Sequence, residues 1–146
     1  MMQRNYDPVD KAWGQQQPIL RRDLIHVDQI TIRPGGYCSV HTHERKHNIF
    51  QVLQGELLVL TFSDSGFLFR TDHLESAGHC VVRAGWKHQF WSRVGCVCQE
   101  VYLGTQDGNL RVFESDILRV AGLEQGGQVL TIDALPSILA MEPAHA

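Results

Sequence analysis

Apolar residues along this chain recur in short runs between turn signals, and almost nowhere at the three-and-four spacing of an amphipathic helix. The breaks fall at Gly35-Gly36, Gln54-Gly55, Asp64-Ser65-Gly66, Ala77-Gly78, Ala84-Gly85, Val94-Gly95 and Asp107-Gly108. Their intervals of roughly 8–12 residues are the rhythm of a β-sandwich or barrel. The pattern predicts strands at Leu24–Ile32, Tyr37–His41, Ile49–Leu53, Glu56–Phe62, Phe67–Arg70, Cys80–Val82, Gln89–Ser92 and Val97–Leu103, with a further one at Gln128–Ile132. In Glu56–Phe62 one face carries Leu58, Leu60 and Phe62 and the other Leu57, Val59 and Thr61. Two largely apolar faces call for cover on both sides, so this strand is expected at the centre of a sheet. Ser115 to Gly122 reads as a short C-terminal helical turn, with Ser115 as cap and Gly122 as stop.

Length and composition narrow the class. The chain has 146 residues, 43% hydrophobic and 20% charged, enough for one domain and its core without a disulfide or structural metal. A formal charge of -3 and the lack of a basic stripe argue against nucleic acid as a partner. No apolar run approaches the roughly 18–20 residues that span a bilayer. The opening Met1-Met2-Gln3-Arg4-Asn5-Tyr6 lacks a signal-peptide core, so a cytoplasmic protein with no membrane partner is expected. Cys38, Cys80, Cys96 and Cys98 do not form zinc-type pairs and read as small apolar strand residues.

The chemistry centres on histidine. His41-Thr42-His43 lies at the end of a predicted strand, where period-two alternation sends both imidazoles to one side. His88 opens a later strand, and pairing of the two strands would bring a third imidazole to the same point. Three imidazoles suit a divalent transition metal: iron, nickel, copper, zinc or manganese. The spacing continues outward as Gly35, five residues, His41-Thr42-His43, four residues, Asn48, six residues and Gly55. A second stretch, Gly78 to His88, places Gly85 three residues before the histidine, with Arg83 two residues before that glycine.

These two stretches resemble the paired motifs of the cupin superfamily, in which Arg83 stands where proline is usual and Asn48 where a carboxylate is usual. The resemblance implies an all-β double-stranded β-helix, the cupin jelly-roll barrel, with a metal at its mouth. It implies His41, His43, Asn48 and His88 as the ligand set. The neutral Asn48 amide leaves three outcomes open: a three-histidine site with Asn48 on or beside the metal, a weak site, or a pocket without metal. His47, by alternation, points away.

Shorter pieces resemble the cupin domain of type II mannose-6-phosphate isomerases. Lys11-Ala12-Trp13-Gly14 is similar to its K-x-W-G element, Ile30 to Val40 to its proline-glycine stretch, and Gln99 to Gly104 with Glu114 to Arg119 to its closing elements. This implies a single domain over 1–146, with a barrel core at about 24–104, an N-terminal arm at 1–23 and a C-terminal appendage at 105–146. Aldose–ketose isomerisation needs a base, stabilisation of an oxyanion and a grip on phosphate. Glu100 is the expected base, sharing a strand face with Cys98 and Tyr102, and Lys87, Trp86 and Arg119 are the expected substrate contacts. Trp86, Phe90 and Trp91 form an aromatic group suited to a sugar face, a barrel core or a subunit interface. The leading expectation is a metal-dependent cupin acting on a sugar phosphate or related small polar molecule, as a homodimer. A three-histidine non-haem iron dioxygenase and a non-catalytic sugar-binding or sensing cupin are the alternatives.

Overall fold

A computed structural model describes residues 6–64, 68–105, 110–111, 120–125 and 128–130. The described strands are β1 (Val9–Lys11), β2 (Gly14–Arg22), β3 (Ile25–Ile32), β4 (His41–Thr42), β5 (Lys46–Gly55), β6 (Leu57–Phe62), β7 (Leu68–Leu74), β8 (His79–Val82), β9 (Lys87–Trp91), β10 (Cys96–Gly104), β11 (Leu110–Arg111), β12 (Val120–Gln125) and β13 (Gln128–Leu130). One antiparallel sheet has the order β1-β2-β3-β10-β5-β8 and a second has β11-β4-β9-β6-β7, with β12 and β13 forming a separate pair. Among the described residues there is no helix, and so none long and apolar enough to cross a membrane.

Strand alternation builds the core. Ile30, Ile32, Phe50, Val52, Cys96 and Cys98 project from the six-stranded sheet and meet Leu57, Val59 and Phe90 from the five-stranded one. All four cysteines are buried free thiols, as their apolar reading requires. β6 is buried at every position and lies between β7 and β9, which is the central place its two apolar faces demand. Gly55 ends β5 at φ 84°, and a Cβ there would lie 2.0 Å from the Gly95 carbonyl oxygen, so the crossing of the two turns requires glycine.

Three expectations need correction. The arm at 1–23 contains β1 and the nine-residue β2, which pairs with β3 from Gly14↔Ile32 to Arg22↔Ile25. Gln15-Gln16-Gln17-Pro18 hides this strand because it lacks apolar alternation, and the register shift between Pro18 and Leu20 accommodates a residue with no N–H to donate. Tyr37–His41 is not a continuous strand: Tyr37 makes an isolated bridge to Trp91, and pairing resumes at His41. Gly35, at φ 80°, turns the backbone so that its N–H meets the Ser92 carbonyl before the ladder can start. In the expected C-terminal helical turn, Val120, Ala121 and Gly122 belong to β12, paired with β13, while Ser115 to Arg119 lie outside the described residues.

Candidate metal centre

Register places the three histidines. His41 in β4 stands directly opposite His88 in β9, and His43 follows two residues after His41. The ring centroids are 4.4 Å apart for His41–His88, 4.9 Å for His41–His43 and 5.0 Å for His43–His88. One ring nitrogen from each lies within 4.8 Å of the others. His43 and His88 are buried and His41 is half-buried.

Two backbone carbonyls fix the tautomers. The His41 Nδ1–H donates to the Ser39 carbonyl at 2.8 Å and the His88 Nδ1–H donates to the Trp86 carbonyl at 3.0 Å. A carbonyl only accepts, so in the neutral ring it is Nε2 that carries the lone pair a metal ion binds. Burial, then the neighbouring imidazoles of His41 and His43, hold His88 well below the usual histidine range. It is therefore neutral, the form that binds metal. Asn48 lies on the same inner face of β5. Its Nδ2 is 3.5 Å from His88 Nε2 and donates to Glu100 Oε2 at 3.2 Å, while its Oδ1 is buried without a hydrogen-bond partner. Three imidazoles and a spare carbonyl oxygen fit a divalent transition metal. His47 is exposed and accepts from the Ala84 N–H, pointing away from the centre.

Glu100 is at the wall of the cavity that opens beside these histidines. The cavity measures about 160 Å³ and is lined by Trp13, Gln16, Tyr37, His41, Glu100 and Tyr102, among others. The Tyr102 hydroxyl donates to Glu100 Oε1 at 2.6 Å. Burial pushes the Glu100 carboxyl up to about 7, against the pull of the hydrogen bonds from Tyr102 and Asn48. Burial and the adjacent Glu100 charge drive Tyr102 well above the usual phenol range. The Lys46 ammonium sits 4.4 Å from the Tyr102 ring centre.

The structure does not bring Lys87 or Trp86 to this cavity. Alternation sends Lys87 to the opposite face from His88, and its ammonium donates to the Asp64 carbonyl at 3.0 Å. Trp86 packs edge-on against Phe69, with ring centres 5.6 Å apart, and lies over the core. Arg119 is outside the described residues. Phe90 and Trp91 are buried, Phe90 in the core and Trp91 stacked on Tyr37 at 4.6 Å. Sequence reasoning missed buried Asp28, which is bonded by Gln16 and Arg21. Its neighbours His26, Val27, Gln29 and Ile30 in β3 give no sign that its partners come from β2. A second group, Glu56, His73 and Glu75, is a surface cluster in which both His73 and Arg93 engage the Glu56 carboxylate.

No curated protein matches this sequence. Solved structures do share its fold. Bacillus subtilis oxalate decarboxylase, described for its Mn(II) centres, superposes with a TM-score of 0.63 at 13% identity over 73% of this chain, which spans 30% of that one. A double-stranded β-helix protein of Klebsiella pneumoniae gives a TM-score of 0.58 at 15% identity, covering 78% of this chain and 86% of that one. KdgF from a Halomonas species gives 0.59 at 16% identity, covering 70% and 91%. The family profile described as cupin matches residues 7–110, the segment that carries both sheets and all three histidines. This chain belongs to the cupin family.

Proposed function

We propose that the protein is a metal-dependent enzyme of acid–base chemistry that acts on a small polyhydroxylated molecule. The first substrate class to test is a sugar phosphate of the kind handled by the type II mannose-6-phosphate isomerases that its short motifs resemble. The observation that carries this reading is the placement of Glu100 and Tyr102 in one cavity wall with His41, together with the Asn48 amide that joins Glu100 to His88. Held by three imidazoles, a divalent metal supplies Lewis acidity toward a substrate oxygen. The chain supplies the rest. The Glu100 carboxyl takes up or returns a proton, while Tyr102 donating to Oε1 and Asn48 donating to Oε2 fix its plane. Trp13 and Tyr37 offer apolar surface to a sugar face, and exposed Lys11 sets a cation at the rim for an anionic end. Four buried thiols fit a reducing compartment such as the cytoplasm.

The test is isomerisation of aldose phosphates by the metal-loaded protein, followed by Glu100→Gln. Turnover that falls by about 100-fold or more with metal content unchanged supports the role of Glu100. Turnover at the wild-type rate in the variant rules it out. A second reading rests on the absence of a carboxylate at Asn48. Three-histidine sets serve iron oxygenases, and substrate-dependent oxygen uptake by the iron-loaded protein would select that reading.

A further inference from the structure

β2 changes face partway along. Its inward residues begin with Gln16, opposite Ile30 of β3, and Pro18, opposite Asp28. The ladder then skips Ile19, which bulges out to 49% exposure. Beyond it the alternation is reversed, so Arg21, opposite His26, faces inward where an unbroken strand would have sent it outward. Gln16 and Arg21, on either side of the bulge, meet on Asp28, which is only 1% exposed. The Gln16 Nε2 amide donates to Asp28 Oδ2, and the Arg21 Nη1 pairs with Oδ1. A carboxylate only accepts, so it holds the amide by its NH2 end alone. The carbonyl oxygen Oε1 is then the end that Gln16 turns away from Asp28. Gln16 lines the cavity of His41, Glu100 and Tyr102, and among the described residues no group donates to its Oε1. Glu100, beside Asp28 in the ladder, already accepts from Tyr102 and Asn48. Gln16 thus adds to the cavity wall an acceptor that is fixed in direction and has no described protein donor.

The geometry points to Gln16 as a specificity-determining residue: its carbonyl oxygen accepts a hydrogen bond from one hydroxyl of the substrate, and Asp28 and Arg21 are positioning residues that keep the amide turned that way. This rests on reading the cavity as the site of a polyhydroxylated substrate, and it names the group by which that site tells a hydroxyl from its isosteres. A glutamine free to rotate offers a donor or an acceptor, and so takes a hydroxyl, a keto oxygen or an ether alike. Locked, it offers oxygen alone, to which keto, ether and fluorine groups bring no proton. Selection works by loss, because an analogue without that proton leaves the acceptor unpaired. The bulge is part of the device. Without Ile19, Arg21 would point outward and Asp28 would be a buried charge held by an amide only.

Calorimetric titration of the metal-loaded, full-length protein with mannose-6-phosphate and its singly deoxyfluorinated analogues tests this. At one carbon, fluorine in place of hydroxyl is expected to weaken binding to the wild type by about 10-fold, the worth of one neutral hydrogen bond. Gln16→Leu is expected to bind mannose-6-phosphate about 10-fold more weakly and to lose the preference for hydroxyl at that carbon alone. Asp28→Asn, whose amide can donate to Oε1 as well as accept from Nε2, is expected to narrow the same preference with Gln16 itself intact. A merely structural Asp28 would lower Tm and leave the preference unchanged. If Asp28→Asn does not fold, proton–nitrogen correlation spectra of the wild type read the lock directly, as a Gln16 side-chain N–H pair shifted from its random-coil position and slow to exchange with water. A random-coil pair in free exchange overturns the proposal. So do hydroxyl preferences that Gln16→Leu leaves unchanged at every carbon, and so does mannose-6-phosphate that fails to bind. Binding is read whether or not turnover occurs, so a Glu100→Gln variant as active as the wild type fails the catalytic reading and leaves this one standing.

Discussion

The two ends of the barrel interior are built by the same strands and differ completely in chemistry. At one end β5 presents Phe50 and Val52, β10 presents Cys96 and Cys98, and β3 presents Ile30 and Ile32. Toward the other end the same inner faces present Asn48 and Lys46, then Glu100 and Tyr102, then Asp28. β9 switches within one repeat, from Phe90 to His88. Alternation decides which face a residue occupies, and its place along the strand decides which end. Burial at the first end removes apolar area from water, which stabilises. Burial at the second removes polar groups from water, which costs unless each finds a partner, and most have one: Glu100 from Tyr102 and Asn48, and Asp28 from Gln16 and Arg21. One end is therefore scaffold and the other is a candidate site, where three imidazoles and the Asn48 Oδ1 converge.

Substitutions can break that contrast, and the largest effect belongs to the apolar end. Phe50→Ala should cost about 3–5 kcal/mol of unfolding free energy in denaturant titration while the remaining folded protein keeps its metal stoichiometry. Stripping the metal comes next. With free metal at about 100 times the dissociation constant, the holo protein gains about 2.7 kcal/mol over the apo protein, read as a rise in Tm that His88→Ala abolishes. Asn48→Ala should cost about 1–3 kcal/mol, because it removes the donor to buried Glu100 Oε2. Lys87→Ala marks the floor, within about 0.5 kcal/mol of wild type and with unchanged ligand affinity, because its ammonium engages a loop carbonyl outside the cavity.

How much was legible in advance follows the same physics. Strands with a continuous or alternating apolar pattern were located within a few residues, as with Ile25–Ile32 for β3 and Cys96–Gly104 for β10. β2 was not, because Gln15-Gln16-Gln17-Pro18 has no local pattern and is a strand only through its ladder with β3. The histidines were legible because His-x-His spacing and a second motif converge on one strand pair, and the His41↔His88 register is that convergence. Glu100 was legible as a strand residue, but its burial was not, because the groups that cover it come from distant β5 and from Tyr102. Lys87 illustrates a signal that was present and outweighed: a residue adjacent to a ligand on a strand faces the opposite way.

The most direct test of the account is the metal content of untagged protein purified without chelator, measured by elemental mass spectrometry beside a His43→Ala/His88→Ala variant. The account predicts close to one divalent transition metal per wild-type chain and none in the variant. A wild-type chain that stays metal-free after incubation with iron, zinc, manganese and nickel, or a variant that retains its metal, would contradict it.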